Sequence, residues 1–99
     1  MTELKANENI VLVSKKPFMN YVTAVVIQLK SENTDKVSIK ARGKYICKAV
    51  DVAEMVRKRF LKDEVELEKV NIDSEEKENN QGKKVRVSVI EIVLKKKKQ

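Results

Sequence analysis

Two short basic segments hold the residues whose chemistry is easiest to interpret. Lys15 and Lys16 are adjacent, and Arg42 and Lys44 stand on either side of Gly43. Each segment precedes an apolar stretch with helical spacing, and the free N–H groups of a helix N-terminus attract anions as the cations do. These four cations are therefore candidates for contacts with phosphate groups. The alternative interpretation is structural, with solvated loop lysines and a glycine that only allows a tight turn.

The residues that most enzymes use are missing from this chain. It has no histidine, only two glycines and a single cysteine, Cys47. It therefore lacks the commonest general base, a glycine-rich phosphate loop and an ordinary Cys/His zinc site. Its acid pairs, such as Glu75 and Glu76, lie in a polar segment without metal-ligand spacing. We expect no catalysis, no cofactor and no bound metal.

The composition describes one small, basic domain. The 99 residues include 22 Lys and Arg against 15 Asp and Glu, a net charge of +7, so the partners should be anionic. Apolar residues are spread along most of the chain, which favours one folded domain at 9–95 with flexible tails at 1–8 and 96–99. The longest uncharged run, 17–29, is too short for a membrane span, and a lone cysteine is typical of the reducing cytoplasm.

The spacing of apolar residues predicts an α/β fold of the two-layer α+β kind in the order β-α-β-α-β-β. Two strands joined by a crossover helix lie parallel, so the two basic segments should emerge at the same edge of a mixed four-stranded sheet. We therefore expect them to form one basic patch. The expected elements are a strand at 9–14, a helix from 17 to about 30, a strand at 37–41, a helix from 46 to about 61, and a hairpin of strands around 65–72 and 85–94.

Both strands of the expected hairpin change the phase of their apolar residues by one position. If Val70 faces Val87 and Ile72 faces Val85, the two changes occur at the same level, and the outer half of the hairpin has an apolar face of its own unless bulges restore the phase. A second copy of the chain is the simplest cover for that face. The hairpin tip, 73–84, is polar and is expected to be mobile.

Three separated segments of the chain resemble the Alba family of archaeal chromatin proteins. They are Ile10–Val22, which contains Ser14-Lys15-Lys16-Pro17, then Ile39–Phe60, which contains Ala41-Arg42-Gly43, and Arg86–Leu94. The resemblance covers about residues 9 to 97. It implies a fold similar to the C-terminal domain of bacterial translation initiation factor three, and a homodimer that binds double-stranded DNA, and often RNA, without strict sequence preference.

The resemblance also implies roles for particular residues. Family members organise chromatin and are cytoplasmic. In them a lysine of the first turn, matched here by Lys15, is reversibly acetylated. This modification implies an acetyltransferase or a deacetylase as a partner. Phe60 matches the aromatic residue through which dimers contact one another, although a position in the core is equally expected. The nucleic-acid contacts implied for the two turns and the hairpin arm are Lys15, Lys16, Arg42, Lys44, Lys83, Lys84 and Arg86.

The expected hairpin tip departs from what the resemblance implies. Between 73 and 78 it carries four acids and one lysine, a net charge of −3, which phosphates should repel. Lower or more selective affinity is the expected consequence. Two alternatives to a DNA-binding role stay open, namely a chiefly RNA-directed protein and a translation-associated interaction module with the same fold. Tyr45 is a candidate for stacking on a base, with a structural role as the favoured alternative.

Overall fold

The structure, a computed structural model, describes residues 9–97 and has the predicted β-α-β-α-β-β order. A 3₁₀ turn, Gly43–Tyr45, leads into the second helix, and a π-helical turn, Val56–Phe60, ends it. The predicted fold class is therefore confirmed. The elements are β1 Asn9–Leu12, α1 Phe18–Lys30, β2 Lys36–Arg42, α2 Ile46–Met55, β3 Val65–Glu78 and β4 Lys84–Lys96.

The four strands form one mixed sheet in the order β1-β2-β4-β3. β1 pairs with β2 in parallel, with Val11 opposite Ile39, while β4 is antiparallel to both β2 and β3. The helices cover one face of the sheet, here called the helix-side face, and the opposite face is called the open face. Because β1 and β2 are parallel, the turns that follow them leave the sheet at one edge, as predicted.

The core lies between the helix-side face and one stripe of each helix. Pro17, which has no N–H to satisfy, stands immediately before the first residue of α1. The buried residues of the helices recur at three- and four-residue spacing and pack against strand residues that alternate in β2 and β4. The buried positions include Tyr21, Val22, Val25 and Leu29 in α1, Ala49, Val52 and Ala53 in α2, and Val37, Ile39, Ile92 and Leu94 in the sheet.

The predicted register of the hairpin is wrong. Ile72 lies opposite Ile90 and Val70 opposite Ile92, rather than opposite Val85 and Val87. A single bulge between Leu67 and Lys69 interrupts β3, and β4 has none. The bulge restores the phase, so Leu67, Val70 and Ile72 share the helix-side face with their partners in β4. Apolar spacing alone does not distinguish a bulge from a true change of face.

Most of the segment 73–84, expected to form a polar tip, is strand, and its expected mobility stays a prediction. β3 continues to Glu78, and only five residues, 79–83, separate it from β4. Glu76 is paired with Arg86, and Glu78 with Lys84, so opposite charges face each other across the strands and stabilise the extended arm. The Asn79 side chain accepts hydrogen bonds from the amides at 81 and 83, which fixes the turn. The arm makes the molecule long, with extents of 51 × 34 × 22 Å.

The chain ends differ in part from the expected domain of 9–95. β4 includes Lys96, whose amide donates to the carbonyl of Asp35, and the Lys97 amide donates to the carbonyl of Glu64. The tail expected at 96–99 therefore begins later than residue 96. The segments 1–8 and 98–99 lie outside the described residues. Within 9–97, neither helix is long and apolar enough to cross a membrane.

Candidate nucleic-acid interface

Four cations lie at the edge of the sheet where β1 and β2 end. The Val13 amide donates to the carbonyl of Lys40 at 2.8 Å, which keeps the two chain segments together to the point where the turns begin. Lys15 and Lys16 follow β1, while Arg42 ends β2 and Lys44 lies in the 3₁₀ turn. All four are exposed. We call these four residues the strand-end patch; a set of cations at one edge can neutralise neighbouring phosphates.

The loop that carries the two lysines is held by a buried phenol. The hydroxyl of Tyr21 accepts hydrogen bonds from the amides of Ser14 and Lys16, both at 3.0 Å. Its ring is 7% exposed and belongs to the core, because Tyr21 lies on the buried stripe of α1. The loop is therefore attached directly to the hydrophobic core.

Lys48, from the first turns of α2, fixes the same loop from the other side. Its Nζ donates to the carbonyl of Ser14 at 2.7 Å and to the carbonyl of Lys16 at 2.6 Å. The ammonium also lies 5.3 Å from the ring centroid of Tyr21 and 5.9 Å from that of Tyr45, within cation–π distance of both. The sequence analysis did not identify this residue. Its one indication in the sequence is the position of a lysine beside the apolar stripe of α2.

The Tyr21 phenol responds electrostatically to these neighbours. Burial raises its pKa, but the hydrogen bonds from Ser14 and from the Lys16 amide lower it, and so does the Lys48 ammonium. The net effect places the pKa of Tyr21 below its ordinary value. The donors around the oxygen thus favour the phenolate form more than water does around an isolated phenol.

The turn after β2 depends on glycine and on the second tyrosine. Gly43 has a φ of +60°, a conformation that side chains with a Cβ adopt at a cost. Tyr45 is half-buried and packs against the core, and the Nζ of Lys44 lies 5.5 Å from its ring centroid. A ring held between the core and two lysines favours the structural role over stacking on a base.

The hairpin cations are placed apart from the strand-end patch. Lys83 lies in the tip turn, Lys84 begins β4, and Arg86 lies on the helix-side face with its guanidinium 3.9 Å from the carboxylate of Glu76. Arg42, by contrast, pairs with Val89 on the open face. At the rise per residue of a strand, Lys84 lies about 17 Å from Val89 along β4, toward the hairpin tip. The structure therefore supplies two separate groups of cations.

Carboxylates reach into the space beside the strand-end patch. Arg42 forms an ion pair with Glu75 of the hairpin, at 3.4 Å between Nη2 and Oε1. A groove of about 720 Å³ between the strand ends and the hairpin is lined by Ser14, Arg42 and Tyr45 together with three acids, Asp73, Glu75 and Glu91. An anion that approaches Arg42 must therefore displace or avoid Glu75. The sequence could not identify this pair, because it depends on the hairpin register.

Glu91, on the open face, is an acid whose pKa is shifted by its neighbours. Its carboxylate accepts a hydrogen bond from the Asn71 amide at 2.9 Å. That bond and one from Ser38 lower its pKa, burial opposes them, and the Lys40 and Lys69 ammoniums lower it further. The pKa of Glu91 therefore lies below its ordinary value, and the charged form stabilises the folded sheet.

An apolar strip remains open on the helix-side face of the hairpin. Leu67, Val70 and Ile72 are 41%, 46% and 79% exposed, because β3 is an edge strand that the helices cover only in part. Phe60, at the end of the π-helical turn, is 49% exposed and does not belong to the core, so its expected alternative place in the core is wrong. Within residues 9–97, no group of three or more acidic, Cys or His side chains could hold a metal ion.

Comparisons with known proteins agree with this architecture. The Alba family model matches residues 9–74. The DNA/RNA-binding protein Alba of Methanococcus maripaludis is 49% identical over 87 residues, 88% of this chain and 97% of that protein. The protein of the same name from Methanocella arvoryzae is 50% identical over 88 residues, 89% of this chain and 90% of that protein.

A solved structure gives the same result in three dimensions. Alba from Thermoplasma volcanium superposes with a TM-score of 0.80 at 49% identity, covering 88% of this chain and 99% of that one. The family model spans more than half of the chain, and these relatives match over nearly their whole length. The chain therefore belongs to the Alba family.

Proposed function

We propose that this protein binds double-stranded DNA, and RNA as well, through phosphate contacts and with little sequence preference, and that it organises chromatin without catalysing a reaction. The observation that carries the proposal is the strand-end patch, four exposed cations at one edge of the sheet. Support also comes from relatives named DNA/RNA-binding protein Alba. Contacts to phosphates position a protein on a duplex without reading bases, which accounts for weak sequence preference.

The proposal includes a homodimer. The apolar strip of Leu67, Val70 and Ile72 faces the same side as the core but lacks a helix to cover it. A symmetric pair of such strips would bury one another, and the dimer would carry the strand-end patch twice. The hairpin cations Lys83, Lys84 and Arg86 would then extend from both ends of the dimer and contact the backbone at a distance from the patch.

Two further roles follow from family membership and are part of the proposal. Lys15 is the expected site of reversible acetylation, which would remove one cation from each patch and weaken phosphate binding. Phe60, whose ring is about half exposed, is the expected contact between dimers on nucleic acid. Such a protein would work in the cytoplasm, associated with the chromosome.

Binding isotherms test the proposal directly. Random-sequence duplex DNA and structured RNA of matched length would be titrated with the protein at two salt concentrations. We expect both to bind, with affinity that falls steeply as salt rises. Tighter binding to RNA alone would favour the RNA-directed alternative. Binding to neither nucleic acid would overturn the proposal and leave a protein-interaction module, whose apolar contacts persist at high salt.

A further inference from the structure

We propose that Lys48 is a positioning residue, which holds the loop of residues 14–16 in the conformation that presents Lys15 and Lys16 to phosphates and does not contact nucleic acid itself. The inference rests on the proposed function and deepens it. It assigns a role to a lysine that lies outside the strand-end patch and that charge alone does not distinguish from other lysines of the chain.

The geometry around the Lys48 ammonium is that of an internal clamp. Two of its three N–H donors are used by the carbonyls of Ser14 and Lys16, at 2.7 and 2.6 Å, one on each side of Lys15. The rings of Tyr21 and Tyr45 lie within 6 Å of it. Its charge is thus directed at the loop backbone rather than at solvent.

The hydrogen bonds of the loop backbone also determine how the loop can bind an anion. The amides of Ser14 and Lys16 donate to the Tyr21 hydroxyl, so all four polar backbone groups on the two sides of Lys15 are bonded within the protein. These amides are not free to cradle a phosphate in the way that glycine-rich loops do. Phosphate contact must therefore come from the lysine side chains. Their placement depends on the bonded backbone beneath them.

A loop without the clamp would have to be ordered when nucleic acid binds. Ordering a mobile side chain or loop at an interface opposes binding by about 0.5–1.5 kcal/mol per side chain, which is about two- to twelvefold in affinity. Lys48 and Tyr21 supply this order in advance. Removing either should weaken binding without removing a phosphate contact.

The experiment compares Lys48→Met and Tyr21→Phe with Lys62→Met. Lys62 is an exposed lysine that follows α2, at the opposite edge of the sheet, so its variant loses the same charge without touching the loop. Tyr21→Phe keeps the buried ring, changes no charge and removes the hydroxyl that accepts both amides. It therefore keeps the test valid if Lys48→Met unfolds.

The first measurement uses the free protein. Amide hydrogen exchange at Lys16 should become faster in Lys48→Met and in Tyr21→Phe, and stay unchanged in Lys62→Met. Unchanged exchange at Lys16 in Lys48→Met would overturn the inference. Because no nucleic acid is present, this outcome is independent of the proposed function.

The second measurement is affinity for random-sequence duplex DNA over a range of salt. We expect Lys48→Met and Tyr21→Phe to bind about two- to twelvefold more weakly than Lys62→Met, with an equal dependence on salt. A flatter salt dependence in Lys48→Met than in Lys62→Met would overturn the inference and make Lys48 a direct phosphate contact. If the unchanged protein binds neither DNA nor RNA, the proposed function fails, and the role assigned to Lys48 fails with it.

Discussion

The guanidinium Nη2 of Arg42 lies 3.4 Å from Oε1 of Glu75, which joins the end of β2 to the hairpin across the intervening strand β4. Both side chains are about half exposed, so solvent screens the pair, and its net contribution is about 0–1 kcal/mol. A phosphate at Arg42 needs the same guanidinium. In the proposed complex, Glu75 therefore competes with nucleic acid for one cation of the strand-end patch.

Glu75→Gln should tighten binding to duplex DNA by roughly two- to fivefold at low salt, because it frees Arg42 and removes a repulsive charge. Titration at low and at high salt would check this, with the gain shrinking as salt rises. The matched control is Glu32→Gln, an exposed acid that precedes β2 at the other edge of the sheet. An equal gain in both variants would show that only net charge matters and that the ion pair does not compete.

Lys15→Ala with Lys16→Ala should flatten the dependence of affinity on salt. A dimer that engaged all eight cations of its two patches would have a log–log slope of about −7, and partial engagement gives roughly half of that. The double variant removes half of these cations and should lower the slope in proportion, by similar amounts on duplexes of different sequence.

The control for this prediction is Lys62→Ala with Lys97→Ala, which removes the same charge from the opposite edge of the sheet. Circular dichroism and sedimentation would show that both double variants remain folded and keep the same oligomeric state. If the Lys15 and Lys16 variant binds like the unchanged protein, the strand-end patch is not the principal contact.

The protein should sediment as a dimer at micromolar concentration, and Ile72→Lys should weaken that dimer by about tenfold or more, because an apolar interface would bury an unpaired charge. Ile72 is 79% exposed in one chain, so its replacement should leave the fold intact. The comparison is Ile27→Lys, which is 64% exposed on α1. A monomeric unchanged protein, or equal loss of dimer in both variants, would contradict this interface.

Glu91 should make the free energy of unfolding depend on pH in the acidic range. Its folded pKa lies below the ordinary value, so its stabilising contribution is present above about pH 4.3 and is lost as the pH falls through the lower folded pKa. Urea unfolding at neutral pH and at a pH of about 3 should show a smaller loss of stability in Asn71→Ala than in the unchanged protein. Glu66→Gln, in β3 beside the strand that carries Glu91, serves as the control. If the free energy of unfolding of Asn71→Ala changed with pH in parallel with that of the unchanged protein, the assignment would be refuted.

Local patterns were sufficient to predict the helices and the parallel strand pair. Val25 and Leu29 recur at helical spacing, and Val37 and Ile39 alternate, because each segment buries one face. The shared edge of the basic turns then followed from the parallel orientation of two strands that are joined by a crossover helix. These features require only neighbours in sequence and one topological rule.

The hairpin and its contacts required information that the sequence pattern does not contain. A phase change at Leu67 and Val70 is compatible with a bulge or with a change of face, and only the pairing with β4 decides between them. The Arg42–Glu75 pair depends on that register. The bonds of Lys48 to the loop depend on how α2 packs beside it, which joins residues more than thirty positions apart.

The bulge in β3 determines which side chains each face of the arm presents. Its extra residue, Glu68, is held by the Lys36 ammonium at 3.2 Å. Without the bulge, Glu68 would lie opposite Val93 and each later residue of β3 would shift by one place, which would turn Val70 and Ile72 to the open face and Asn71, the partner of Glu91, to the helix side. The arm would then have the same composition, but its apolar and charged faces would be exchanged. The conformation of the chain at Glu68, and not the composition of the arm, thus decides which of its two faces is apolar.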